Sequence, residues 1–160
     1  MNKFRITILT IAVLAALIPK TDELAVSCGS PLYTHFVYIL GHDGFLHYAV
    51  NAWSLLVMHN LFRWYRVLAA YSFAVLLSFI ALPAQPMVGA SVFTCFFFGF
   101  IAPWQWRKDR KLLCITIGFL LLTCVLPGFA GIPHVAAYAL GTAFSFSEAY
   151  FRNISNYLKH

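Results

Sequence analysis

The sequence predicts an all-α integral membrane protein, a compact bundle of six transmembrane helices. Three observations predict it. Of 160 residues, 61% are hydrophobic and only 10% are charged, where a soluble domain averages about 25% charged residues. The mean hydropathy is strongly positive, at +0.78. The apolar residues also fall into six runs of helical length, with the charges gathered between them. A chain this short builds one bundle, so residues 1–160 are expected to form a single domain.

The first run covers about 6–19 and follows Lys3 and Arg5. It could instead be a cleaved signal peptide, but LAALIPKTDE offers no clean small-x-small cleavage site. The second run covers about 45–62, the third 67–82 and the fourth 86–106, with Pro103 inside it. The fifth covers 112–126 and the sixth 134–151. Pro83, Pro86, Pro127 and Pro133 mark run ends. Several runs are short. A helix of about 15 residues spans only ~22 Å, against a hydrocarbon core of ~30 Å, so snorkelling or local thinning is expected.

Basic residues orient the bundle. Lys3, Arg5, Arg63, Arg66, Arg107, Lys108, Arg110, Lys111, Arg152 and Lys159 fall on one side if six helices alternate, and Lys20 alone falls on the other. The positive-inside rule then places both termini in the cytoplasm. The net charge of +6 is dispersed among the connections, so it forms no patch for nucleic acid. Cys28, Cys95, Cys114 and Cys124 make no C-x-x-C pair and read as small buried apolar residues.

An ionisable or amide side chain among apolar runs needs a reason. The candidates are His42, His47, Asn51, His59, Ser91, His134 and Glu148. His47 and Asn51 lie four apart and share one face of the second helix. Ser91 lies five residues past Pro86, roughly 7.5 Å into the fourth helix, and His134 opens the sixth. These four come from the outer ends of three helices and could converge. Each also has a plainer reading: Ser91 as small-residue packing, Asn51 as an interhelical bridge, the histidines as interfacial groups. His59 lies near the opposite end, and Glu148 is placed to pair with Arg152 four residues on.

At these residues the sequence resembles the rhomboid family of intramembrane serine proteases. That pattern has His-x-x-x-Asn on the second helix, Gly-x-Ser at the fourth and a histidine at the start of the sixth. Here they are HYAVN (His47, Asn51), GAS (Gly89, Ser91) and PHVAAYALG (His134, Gly141). His42, in HDGFLH, matches an earlier histidine that lines the site. Gly99, Ala137 and Gly141 match small residues that let the fourth and sixth helices touch. The resemblance covers about 33–150, and its compactness is similar to the small rhombosortase-type branch. The chain departs from the pattern at Val92, at Cys95, in the first loop and in RWYRVLAAYSF.

The resemblance implies a six-helix rhomboid-like fold in the bacterial inner (cytoplasmic) membrane. It implies an endopeptidase acting on transmembrane or membrane-anchored proteins, with the lipid bilayer as its other partner. Ser91 would be the nucleophile and His134 the base, a dyad because no Asp lies in the runs. Asn51 and His47 would donate to the oxyanion, together with the Ser91 backbone N–H. No cofactor or metal is implied, and H-E-x-x-H is absent. Two other classes remain: a catalytically inactive rhomboid-like protein that binds transmembrane clients, and a haem- or metal-binding protein using His47, His59 or His134.

Overall fold

The computed structural model describes residues 6, 7, 10, 11, 23–80, 86–125 and 131–157. The chain is helical throughout most of these. A short helix α1 (Thr34–Val37) runs into a 3-10 turn, Tyr38–Leu40. Then follow α2 (Gly44–Met58), a 3-10 turn His59–Leu61, and α3 (Trp64–Ile80). The last three helices are α4 (Ser91–Lys108), α5 (Arg110–Val125) and α6 (Gly131–Tyr157).

The six-transmembrane-helix expectation is corrected here. Among the described residues, no helix is long and apolar enough to cross a membrane. Helices α2, α3 and α5 have 15, 17 and 16 residues. At 1.5 Å per residue they reach only ~22–26 Å, short of the ~30 Å hydrocarbon core. The longer helices fail on composition. Helix α4 ends in Gln105, Arg107 and Lys108, and the second half of α6 carries Glu148, Arg152, Asn153 and Ser155. The expected multi-pass, inner-membrane placement with cytoplasmic termini is corrected with the spans, since the positive-inside rule orients spanning helices and none is found among the described residues. The architecture is an all-helical bundle.

The element positions are closer to expectation than the class. The second to sixth runs correspond to α2 to α6, with shifted ends. The first run lies outside the described residues except for Ile6, Thr7, Thr10 and Ile11, which are helical. The run starting at Leu112 begins at Arg110 instead, because Asp109 breaks the chain between α4 and α5 and caps the latter. Its Oδ1 accepts the Leu112 N–H at 3.0 Å. Helix α6 continues well past Phe151, to Tyr157.

Helix α4 is the centre of the bundle and contacts α2, α3, α5 and α6. Its SVFTCFFFGF sequence is apolar on every face, which suits a helix surrounded by others. Val92, Phe93, Cys95, Phe96 and Phe97 are all buried. Helix α6 is its most extensive neighbour, and small residues allow the approach. A Cβ on Gly99 would stand 1.9 Å from the Tyr138 carbonyl oxygen, and one on Gly141 would stand 1.9 Å from that of Phe96. Ala137, between them on α6, is also buried. Thr142 Oγ1 donates a hydrogen bond across the seam to the Gly99 carbonyl at 3.0 Å.

At the far end of this seam, Glu148 on α6 is gripped from α3. Arg66 Nε donates to Oε2 at 2.8 Å and Nη2 to Oε1 at 2.6 Å, while the Tyr65 hydroxyl donates at 3.1 Å. Arg152 pairs with the same carboxylate from one turn along α6. Hydrogen bonds from Arg66, above all, hold the Glu148 carboxyl down to about 2. Arg66 is buried beneath this pair, with its guanidinium 4.3 Å from the Phe100 ring centre. The Arg152 partnership follows from sequence spacing; the Arg66 partnership does not, and Arg66 is no solvated topology signal. The cysteines also need correcting: only Cys95 is buried, and Cys28, Cys114 and Cys124 are exposed.

Candidate active site

The segment before Ser91 is held before the helix starts. Val26 and Met87 form an antiparallel bridge, each N–H donating to the other's carbonyl at 2.8 Å. The Gly89 N–H then donates to the Tyr38 carbonyl at 2.9 Å. Gly89 has φ +108°, a left-handed region that side chains resist. A Cβ there would also meet the His47 ring at 2.6 and 2.8 Å. The glycine therefore turns the chain into α4 and lets His47 and Asn51 come against the backbone beside the serine.

Ser91 is the first residue of α4, not one buried more than a turn inside it. Its backbone N–H is one of the unsatisfied donors at a helix start, where the dipole is positive. From α6, His134 Nε2 lies 2.7 Å from Ser91 Oγ. This is hydrogen-bond distance for a nucleophile and its base. His134 is buried, and its Nδ1 has no hydrogen-bond partner among the described residues, so no third member completes a triad. Burial, with a lesser contribution from His47, lowers the His134 pKa to about 4. The imidazole is therefore neutral at pH 7 and able to accept the serine proton.

The other candidates gather on the α2 side. Asn51 is buried, and its Nδ2 has no partner among the described residues. That Nδ2 would be 3.5 Å from a Cβ on Gly89. His47 Nδ1 accepts the Asp43 backbone N–H at 3.2 Å. A neutral imidazole that accepts at Nδ1 carries its proton on Nε2, the atom facing Gly89. Burial lowers the His47 pKa, which favours this neutral tautomer. His42 stacks edge-on against His47, with ring centres 5.9 Å apart. So Ser91, His134, Gly89, Asn51, His47 and His42 share one region. His59 does not; it bonds the Leu56 carbonyl in its own turn. Glu148 belongs to the Arg66 cluster.

A second Ser–His pair escaped the sequence reading. His35 Nδ1 lies 2.9 Å from Ser78 Oγ, and the His35 ring stacks on Phe79 at 3.9 Å. The polarity is opposite to that at Ser91. Ser78 donates its hydroxyl hydrogen to the Val75 carbonyl at 2.6 Å, so its oxygen accepts from the histidine. Ser78 is also wholly buried. This pair fastens α1 to α3 and has no activated nucleophile. Only histidine and serine content hints at it in the sequence, because 43 residues separate the two.

Among the described residues no group of three or more His, Cys, Asp and Glu side chains is placed to hold a metal ion. No family model matches this chain, and no curated protein or solved structure matches it significantly.

Proposed function

We propose that the chain is a serine endopeptidase using a Ser91–His134 dyad. The observation that carries this reading is the 2.7 Å contact between His134 Nε2 and Ser91 Oγ, at the free N-terminus of a central helix. His134 takes the hydroxyl proton as Ser91 Oγ bonds to the substrate carbonyl carbon. The negative charge on the carbonyl oxygen is met by the Ser91 N–H, Asn51 Nδ2 and His47 Nε2–H. His134 then gives the proton to the leaving amine, and water attacks the acyl-enzyme by the reverse route. The substrates are proteins that present an apolar segment, transmembrane or membrane-anchored, and the resemblance to rhomboid proteases supports that class.

The test is phosphonylation of the purified protein by a fluorophosphonate, in which the serine oxygen bonds to phosphorus and fluoride leaves, with the modified residue read by mass spectrometry. Ser91 should be labelled in the wild type and Ser78 should not. Ser91→Ala, His134→Ala and the double variant should all lose turnover to about the same extent, because residues acting as one unit do not add. Cleavage of a protein substrate that survives Ser91→Ala would end this reading.

A further inference from the structure

A cleft of about 480 Å³ opens where the start of α3 meets the second half of α6. Arg63 and Tyr65 line one wall, and Glu148, Phe151, Arg152 and Ser155 line the other. The last four lie three or four residues apart, so they share one face of α6. The charge of this cleft is unbalanced. Both oxygens of Glu148 accept hydrogen bonds from Arg66, so that one buried guanidinium already balances the carboxylate. Arg63 and Arg152 remain as two positive charges on opposite walls. Arg152 gives one N–H to Glu148, and Arg63 gives one to the Tyr65 hydroxyl at 3.4 Å. An arginine carries five N–H donors, so most of each fork has no partner among the described residues.

We propose that this cleft binds a phosphate monoester, its phosphate held between Arg63 and Arg152 and its organic part against Phe151. It is a second site and does not depend on Ser91 being the nucleophile. The charges match: a monoester carries nearly two negative charges at pH 7, because its second pKa is about 6. The geometry of the donors matches too. A guanidinium fork gives two parallel N–H bonds to two phosphate oxygens, which an ammonium cannot do. Ser155, three residues from Arg152 on the same helix face, brings a hydroxyl that can donate to a third oxygen. Arg63 stands immediately before α3, where unsatisfied backbone N–H groups and the positive end of the helix dipole favour an anion. The size argues for an ester rather than a bare ion. Small-molecule sites have volumes of about 300–1,000 Å³, and this cleft falls within that range. Phe151, 68% exposed, offers the organic part an apolar surface beside the charged one. Soluble esters and the headgroup of phosphatidic acid share this phosphate chemistry.

The test titrates the purified full chain with phenyl phosphate in a calorimeter, beside phenyl sulfate, phenol and inorganic phosphate. Phenyl phosphate should bind once per chain, more tightly than the other three, and should raise the melting temperature. Arg63→Gln and Arg152→Gln should each weaken it by roughly 10- to 100-fold, the range for lost hydrogen bonds to a charged group. Arg63→Gln leaves the Arg66–Glu148 pair in place, so it reports on the site even if Arg152→Gln loosens the helices. Phe151→Ala should weaken phenyl phosphate and leave inorganic phosphate unchanged. A second arm distinguishes the sources, using phosphatidylcholine vesicles with and without phosphatidic acid. Sedimentation that needs phosphatidic acid and is lost in both arginine variants assigns the phosphate to a lipid headgroup. Binding of phenyl phosphate without such sedimentation assigns it to a soluble ester. Equal binding by the wild type and Arg63→Gln overturns the proposal, as does inorganic phosphate binding as tightly as the ester. A protein that binds neither phenyl phosphate nor phosphatidic acid overturns it as well, and the Ser91–His134 reading then stands untouched.

Discussion

His134 sits where a neutral imidazole is favoured, and that sets the pH behaviour of the site. Burial penalises the imidazolium, and His47 adds to the effect. The general base is the neutral form. Its pKa of about 4 means the base is present above that value and lost as pH falls through it. The rate of Ser91 acylation should therefore hold down to about pH 5 and drop with an apparent pKa near 4, rather than near the ~6.5 of a free histidine. His47→Gln removes one cause of the lowering, so the acid limb should move upward. A limb near 6.5 in the wild type would show that water reaches His134. On the oxyanion side, Asn51→Ala removes one donor and should slow turnover by roughly 100-fold or more while leaving the protein folded. Much of this site can be read from residue spacing. His-x-x-x-Asn fixes a common helix face, and GAS and PHV put a hydroxyl and an imidazole at helix starts. The His47 tautomer cannot be read that way. It depends on a backbone N–H from Asp43, and so on the turn that precedes α2.

The α4–α6 seam holds the dyad together, because each helix contributes one member. Seam spacing is set by Gly99 and Gly141, where an added Cβ would enter a carbonyl of the facing helix. Gly99→Ala or Gly141→Ala forces the helices apart. Overpacking of this kind costs about 1–3 kcal/mol. A displacement of about 1 Å at the reacting atoms can cost 100-fold in rate. Both variants should therefore melt at lower temperature and acylate far more slowly. Gly118→Ala on α5 is the control, since nothing lies within 4 Å of its added Cβ. It should be slightly stabilising, by up to about 1 kcal/mol, because alanine suits a helix better than glycine. Equal effects from all three in thermal melts would mean that the seam is not what the glycines serve. The seam is partly legible in sequence, as small residues on two apolar runs. Helix ends are less so. Asp109 sits in RKDRK and looks like part of a charged loop, yet one side-chain bond makes it the start of α5.

At the scale of the molecule, composition pointed to membrane spans, while among the described residues no helix is long and apolar enough to cross a membrane. A high apolar fraction measures how much surface seeks cover, not how long each helix is. Arg66 shows the same limit. In sequence it is one more positive charge in a connection; in the fold it is buried and ties α3 to Glu148 on α6, 82 residues away. That tie makes a prediction about acid stability. The Glu148 carboxyl has a folded pKa of about 2 against an ordinary 4.5, so its contribution is complete above about 4.5 and lost as pH falls through about 2. His134 also has a lowered pKa, about 4 against 6.5. Its contribution is complete above about 6.5 and lost as pH falls from there to about 4. Melting temperature should then decline in two stages, the first removed by His134→Ala and the second by Glu148→Gln. At neutral pH, Glu148→Gln leaves Arg66 buried with a neutral partner. The loss should be about 2 kcal/mol, below the ~3–5 of a fully enclosed pair, because the Arg152 side chain is 62% exposed and water reaches the cluster. Denaturant titrations of the wild type and Glu148→Gln at pH 7 and pH 3 measure this directly. A wild type that loses no stability between pH 4.5 and 2 would show that Arg66 and Glu148 do not hold α3 to α6.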